Sequence, residues 1–361
     1  MPDPGSVRLA DGVQLHVDTS GPDTAGLTVL LLHGWTLDGR TWHRQVAALR
    51  DAFGEAVRVV TYDARGHGRS GPATLHSATL ERLGDDLAEV IAEVAPTGPI
   101  VLAGHSMGGM TVMEYAHRHP EDFARRVAGL VFVSTTAEGH THTAYGLPAP
   151  VARLIRIAEL AGTGLLARCG GWRTPLPLLY ALRPTLRWLL FGDVCESADI
   201  RLTSSAVARA SLVSIGGFRP SIGTQSRLAT LAELAELPAA ALVGDRDRLT
   251  PPPCAVSIAE ALPSAELTVC PGAGHMLMLE RADEVTGALL SVTQRAMSRP
   301  ATVRKTATVR KTAAVRKTAT VRTAAAVRRT ATVRTAAAPA GATGPVVKQP
   351  RRQEDHSAPC T

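Results

Sequence analysis

The sequence predicts an α/β protein: a mostly parallel central sheet flanked by helices, with an inserted helical cap and a disordered basic tail. Two observations predict the sheet and its interruption, and a third predicts the tail. Apolar runs of strand length at 27–32, 57–62, 100–103 and 127–134 alternate with helix-length segments, as parallel strands joined by crossover helices do. The alternation stops across residues 138–227 and resumes at 240. Residues 301–336 fall into a six-residue repeat.

Residues 7–9 and 13–17 flank Ala10-Asp11-Gly12, a hairpin signal because Asp-Gly supplies the positive φ of a tight turn. The run 27–32 suits a strand covered on both faces and ends in His33-Gly34-Trp35. A helix over about 41–52 follows, with Thr41 as its expected N-cap. The strand at 57–62 leads into Asp63-Ala64-Arg65-Gly66-His67-Gly68-Arg69-Ser70, and a helix over about 79–94 returns the chain to Ile100. Ligands of such a sheet sit outside the carboxyl ends of its strands. His33-Gly34, the Asp63 loop and Ser106 all fall there.

Within 138–227 the apolar stretches 151–161 and 176–190 are broken by Gly and Pro, and none reads as a strand. A helical cap over the strand ends is the expectation. Between residues 148 and 192 it holds arginines 153, 156, 168, 173, 183 and 187 and a single acid, Glu159. These arginines are expected to form a solvated outer face while the apolar residues pack on the sheet; the competing reading is an apolar, basic lid that admits acyl chains or anionic substrates. Strands at 240–243 and 267–270 and helices over 251–262 and 283–297 complete the alternation.

Charge divides the chain. Thirteen Lys/Arg and two acids after residue 300 give that stretch +11 of a total of +7, leaving −4 for residues 1–300, so basicity belongs to the tail. Val recurs at 303, 309, 315, 321, 327 and 333, and Arg follows each. Six residues advance a helix by about 240°, so these valines spiral without forming a stripe. An extended form would separate Ala, Val and Lys from Thr and Arg, and neither form buries enough to offset chain entropy. Disorder is therefore expected over 301–361. Ten Lys/Arg and no acid in 301–336 suit salt-sensitive, non-specific contact with nucleic-acid phosphates or an anionic membrane surface. No aromatic residue interleaves there, which argues against base stacking.

Cys169, Cys195, Cys254, Cys270 and Cys360 are odd in number and contain no C-x-x-C pair, which fits reduced thiols better than a disulfide framework or zinc site. The chain shows no export signal and no apolar stretch of membrane-spanning length, so a cytoplasmic location is expected.

The chemistry centres on Gly104-His105-Ser106-Met107-Gly108, a G-x-S-x-G pentapeptide between a strand-like run and a helix-like segment. In that context it reads as a nucleophile elbow, a tight turn that pushes Ser106 clear of the backbone. A serine hydroxyl needs a base to take its proton, and the base needs a carboxylate to hold its tautomer. Gly272-Ala273-Gly274-His275 supplies a histidine after a late strand, and Gly244-Asp245-Arg246-Asp247 supplies two candidate acids.

With these residues in the order Ser, Asp, His, the chain resembles the α/β-hydrolase family over residues 7–135 and 238–297. The resemblance implies a core of 1–137 and 228–300 around the 138–227 cap. It selects Asp247 as the triad acid, leaving Asp245 a structural turn residue. It also assigns the oxyanion-stabilising backbone N–H groups to Trp35 and Met107, and takes the Asp63–Ser70 turn as structural support. His105 belongs to the elbow pattern. His140 and His142, spaced two apart, have no third partner for a metal site.

The resemblance implies a serine hydrolase of the carboxylic-ester class (EC 3.1.1), forming an acyl-Ser106 intermediate on a small-molecule acyl substrate with no cofactor or metal. A thioesterase, carbon–carbon bond hydrolase or cofactor-free haloperoxidase-like enzyme shares the same triad. Oligomeric state is not readable from the sequence.

Overall fold

The computed structural model describes residues 5–234, 236–298 and 334–335. The disorder expected over 301–361, and the binding role expected of 301–336, lie outside the described residues apart from that two-residue strand.

An antiparallel hairpin of β1 (Ser6–Arg8) and β2 (Gln14–Ser20) turns at Gly12, whose φ is +87°. β2 pairs antiparallel with β4 (Val57–Tyr62), which lies parallel to β3 (Leu27–Leu32). From there the sheet is parallel: β3, β5 (Ile100–His105), β6 (Val127–Val133), β7 (Ala239–Gly244), β8 (Ala265–Cys270) and β9 (Arg334–Thr335). Each sequence-predicted strand lies within three residues of its observed bounds.

Alternation along the central strands builds two cores. Leu30 and Leu32 of β3 and Leu102 of β5 pack with α2 (Leu80–Val94) and α3 (Met107–Arg118). Leu27, Val29 and Leu31 face the opposite way, toward α1 (His43–Phe53) and α13 (Ala282–Ser298). All six residues of β3 are buried, as a strand covered on both faces requires.

The expected N-cap at Thr41 is corrected. A 3-10 turn, Gly39–Trp42, precedes α1, and the Asp38 side chain caps it by accepting from the Arg40 N–H. Thr41 is buried and its hydroxyl donates to the Asp38 carbonyl. By contrast, Thr79 caps α2 as its composition suggests, accepting from the Arg82 N–H.

α4 (Pro120–Arg126) leads into β6. Between β6 and β7 lie α5 (Ala149–Ala167), α6 (Leu176–Leu190), α7 (Ser197–Arg209), α8 (Leu212–Gly217) and α9 (Arg219–Thr224), with the short α10 (Leu228–Ala232) before β7. α11 (Pro252–Ala261) joins β7 to β8, and α12 (Leu277–Glu280) precedes α13.

The expectation that the cap's apolar residues pack on the sheet holds for Phe191, Ala206 and Phe218, which join the two cores, and is corrected for α5. α5 meets α8 at Thr163 and Ala167: a Cβ on Gly216 would lie 2.2 Å from the Thr163 carbonyl oxygen and 2.5 Å from the Ala167 nitrogen. That close approach admits only small side chains on the inner face. The large ones turn outward.

Candidate active site

Ser106 stands between β5 and α3 at φ 52° and ψ −118°, backbone angles that strain a residue bearing a side chain. Its backbone is tied down on every side. Its N–H donates to the Val133 carbonyl at 3.0 Å, and its carbonyl accepts from Gly109 N–H at 2.9 Å and the Thr135 hydroxyl at 2.7 Å. The flanking glycines are required by space. A Cβ on Gly104 would lie 2.3 Å from the Gly109 nitrogen, and one on Gly108 would lie 2.4 Å from the Leu32 carbonyl oxygen. So the elbow holds the serine hydroxyl at the mouth of a cleft while strand and helix touch behind it.

His275 follows β8, and its Nδ1 lies 2.8 Å from Asp247 Oδ2, in the loop after β7. Both side chains are buried. The Asp247 carboxylate is fully engaged: Oδ1 accepts from the Leu249 and Thr250 N–H groups, each at 2.9 Å, and Oδ2 also accepts from the Thr250 hydroxyl at 2.9 Å. This fixes Nδ1 as the protonated nitrogen and leaves Nε2 as the basic one. Asp245 points elsewhere. It accepts from Gly272 N–H at 2.7 Å, knitting the acid loop to the histidine loop.

His105 connects the elbow to the histidine. Its Nε2–H donates to the His275 carbonyl at 3.0 Å, and the two rings lie 4.8 Å apart. Burial, followed by the proximity of His275, pushes His105 well below the ordinary histidine range, so its ring is neutral. The backbone around His275 is held from the cap as well. Leu190 of α6 accepts from both His275 N–H at 2.8 Å and Met276 N–H at 3.1 Å. Glu280 accepts from Gly192 N–H at 2.7 Å and Gly274 N–H at 3.0 Å, and its burial raises its pKa.

Met107 begins α3, so its N–H is one of the helix's first amides and carries the positive end of the helix dipole. Trp35 lines the same cleft, and a Cβ on the preceding Gly34 would lie 3.2 Å from Ser106 Cβ. His33 braces this corner. The Ala64 N–H donates to its Nε2 at 2.9 Å, so Nδ1 carries the proton and donates to the Gly34 carbonyl at 2.8 Å. Asp63 accepts from Gly39 and Arg69 N–H groups, and Arg65 forms a two-pronged buried ion pair with Asp86. None of these turn residues lines the cleft.

The cleft is open to solvent and spans about 490 Å³, the solvent at its opening included. Trp35, Met107, Met110, Ile222 and Leu249 line it with apolar surface beside Ser106. His140, Tyr145, Glu159 and Arg219 add a polar wall, with the Arg219 guanidinium 5.8 Å from the Trp35 ring centre. Arg219, buried at the start of α9, donates to both Glu159 oxygens, to the Tyr145 hydroxyl at 3.0 Å and to His140 Nε2. The Tyr145 hydroxyl donates to Glu159 at 2.6 Å. Burial raises the Glu159 pKa, but the hydrogen bonds and charge of Arg219 outweigh it and hold the carboxyl below its usual range. Burial and then Arg219 push His140 down to about 4. His142 instead lies 3.1 Å from Glu138.

Sequence reasoning missed Tyr145, Arg219, Thr250 and Glu280. Glu159 was noticed only as the cap's one acid. The six arginines between residues 148 and 192 do not line the cleft: Arg156 donates to the Thr143 carbonyl, Arg183 stacks on Tyr180, Arg187 donates to Gly192 and Asp193 carbonyls, and 153, 168 and 173 are exposed.

The family model described as "Alpha/beta hydrolase family" matches residues 29–288, most of the chain. The chain belongs to the α/β-hydrolase family. Among its α/β-hydrolase relatives is the Yersinia enterocolitica protein named "Putative carbamate hydrolase RutD", 28% identical over 271 residues, covering 74% of this chain and 87% of that one. The non-heme haloperoxidase of Rhodococcus erythropolis is 28% identical over 298 residues, covering 79% and 97%. An esterase from Thermogutta terrifontis has the same fold, with a TM-score of 0.61 at 24% identity over 81% of this chain and 98% of that one. The family makes this α/β-hydrolase a hydrolase, and the variety of its relatives' names leaves the bond it cleaves to the site itself.

Proposed function

We propose that the protein hydrolyses a carboxylic ester through an acyl-Ser106 intermediate, with His275 as base and Asp247 as its orienting carboxylate. The single observation that carries this reading is the buried 2.8 Å Asp247–His275 pair, joined through His105 to a serine held at positive φ on the cleft wall. In the first half-reaction Ser106 Oγ bonds to the acyl carbon while its proton passes to His275 Nε2. The Met107 and Trp35 N–H groups stabilise the carbonyl oxygen as it gains charge. Collapse breaks the bond to the alkoxy oxygen, which takes the proton from His275 and leaves as the alcohol. Water then gives a proton to His275 and attacks the acyl carbon, releasing the acid and restoring Ser106.

The walls of the cleft support a compact substrate with an apolar part beside Trp35 and Met110 and a hydrogen-bonding part beside Tyr145 and Arg219. Ser106→Ala tests the reaction directly. It is expected to lower turnover of p-nitrophenyl acetate by about 10⁴-fold or more while leaving the fold intact by circular dichroism. Undiminished turnover in that variant would remove the acyl-serine mechanism.

A further inference from the structure

α5, the cap's longest helix, is built with its polarity reversed, and α6 carries an exposed apolar arc beside its buried Leu179. A surface helix of a soluble protein buries its large apolar residues and exposes its polar ones. On α5 the buried positions are Ala152, Thr163 and Ala167. At 100° per residue, Val151, Leu154, Ile155, Ala158, Ala161 and Leu165 fall within an arc of about 120° on the opposite side, and all are exposed. Leu154 and Leu165 expose 67% and 68% of their surface. On α6, Leu178, Ala181 and Trp188 form a similar exposed arc of about 80°. Trp172, between the two helices, is 78% exposed. So much outward apolar surface on one insertion marks a docking surface.

The charges beside it choose the occupant. Arg153, Arg168 and Arg173 are exposed on the same segment, and Arg183 stacks 4.0 Å from the Tyr180 ring. The one acid between residues 148 and 192, Glu159, is turned inward onto Arg219. A second copy docked by the same face would set arginines against arginines. The chain's own tail, at +11, would meet them with like charge. An anionic bilayer matches both features: aliphatic side chains enter the acyl boundary, arginines meet phosphates, and tryptophans take the interface between them. No helix among the described residues is long and apolar enough to cross a membrane, so the cap would lie on the surface rather than span it.

We propose that the outward faces of α5 and α6 dock the protein onto an anionic phospholipid bilayer. Both helices also reach the candidate active site: Glu159 of α5 lines the cleft, and the Leu190 carbonyl at the end of α6 holds the His275 and Met276 amides. The proposal stands independently of which bond the enzyme cleaves.

The test uses the full chain with vesicles of phosphatidylcholine alone or mixed three to one with phosphatidylglycerol. The expected result is partition onto the mixed vesicles, falling at least about tenfold in the double variant Leu154→Glu/Leu165→Glu. Both side chains project into solvent, so that variant should fold, which circular dichroism and unchanged turnover of a water-soluble ester would check. A second reading isolates the cap from the tail. Brominated acyl chains should quench Trp172 and Trp188, both on the docked face, and Trp172→Phe/Trp188→Phe should lose most of that quenching. Equal partition of the glutamate variant, or no quenching of these tryptophans, would assign the binding to another segment and overturn the proposal. So would the absence of any partition. A dimer that the glutamate variant breaks, without vesicle binding, would make this face a contact between copies and overturn it too.

Discussion

Asp247 makes four hydrogen bonds with a single carboxylate, and each limits how His275 can sit. Three come from its own loop and hold it still, so the fourth selects one imidazole tautomer. Asp247→Asn keeps the shape but offers an amide that can donate toward Nδ1, which favours the wrong tautomer. The expected result is a loss in kcat of about 10⁴-fold with KM little changed, measured on p-nitrophenyl acetate. At this scale Ser106 and His275 were legible in the sequence because the glycines that make room for each lie beside it. The choice between Asp245 and Asp247 was not legible from the residues alone, since both follow the same strand end. Hydrogen bonds across 25 to 28 residues decide it. Glu280 left no signal because its partners, the Gly192 and Gly274 N–H groups, are brought near only by the fold, and Thr250 because a lone threonine gives no sign that its hydroxyl serves the Asp247 carboxylate.

The elbow is a strand and a helix forced into contact. Gly104 and Gly108 permit that contact, and neither could gain even a methyl group without meeting backbone that has nowhere to move. Gly104→Ala is expected to lower unfolding stability by about 3 kcal/mol or more in a urea titration, a larger loss than overpacking usually causes because the obstruction is main chain. The apolar runs of β3 to β8 fixed their own positions, since a strand's side chains alternate whatever surrounds it. The cap helices differ. Their apolar content predicted helices at 151–161 and 176–190, but which face turns inward depends on α8, whose Gly216 draws α5 close. The polar wall escaped notice for a related reason: Glu159 and Arg219 are 60 residues apart and meet only when α5 and α9 pack.

Across the whole molecule, core and cap are joined through buried rings and carbonyls. His67 of the Asp63 turn lies between His33 and Phe218 of the cap, at ring distances of 5.3 and 5.7 Å. Trp35 Nε1–H donates to the Ser214 carbonyl at 3.2 Å, and the Ser211 N–H donates to the Gly66 carbonyl. Burial, and then His33, push His67 from 6.5 to about 3, while burial and then Arg219 push His140 down to about 4. Both are neutral in the folded state near pH 6, where the unfolded chain begins to take up their protons. The unfolded state therefore binds more protons, and stability falls as pH drops from about 6.5 toward these lower values. Between pH 7 and 5, above the range of the carboxylates, the melting temperature is expected to decline. His67→Leu should flatten that decline; an unchanged slope would assign it to other histidines.

In the proposed mechanism all three scales meet at Ser106, which the elbow presents and His275 would activate beneath the cap. The most direct measurement is the intact mass and peptide map of the protein after treatment with a fluorophosphonate. The account predicts one adduct, on the peptide containing Ser106, absent in Ser106→Ala and formed at least about 10³-fold more slowly in His275→Ala. An adduct on a different residue, or ester turnover that survives complete modification of Ser106, would contradict it.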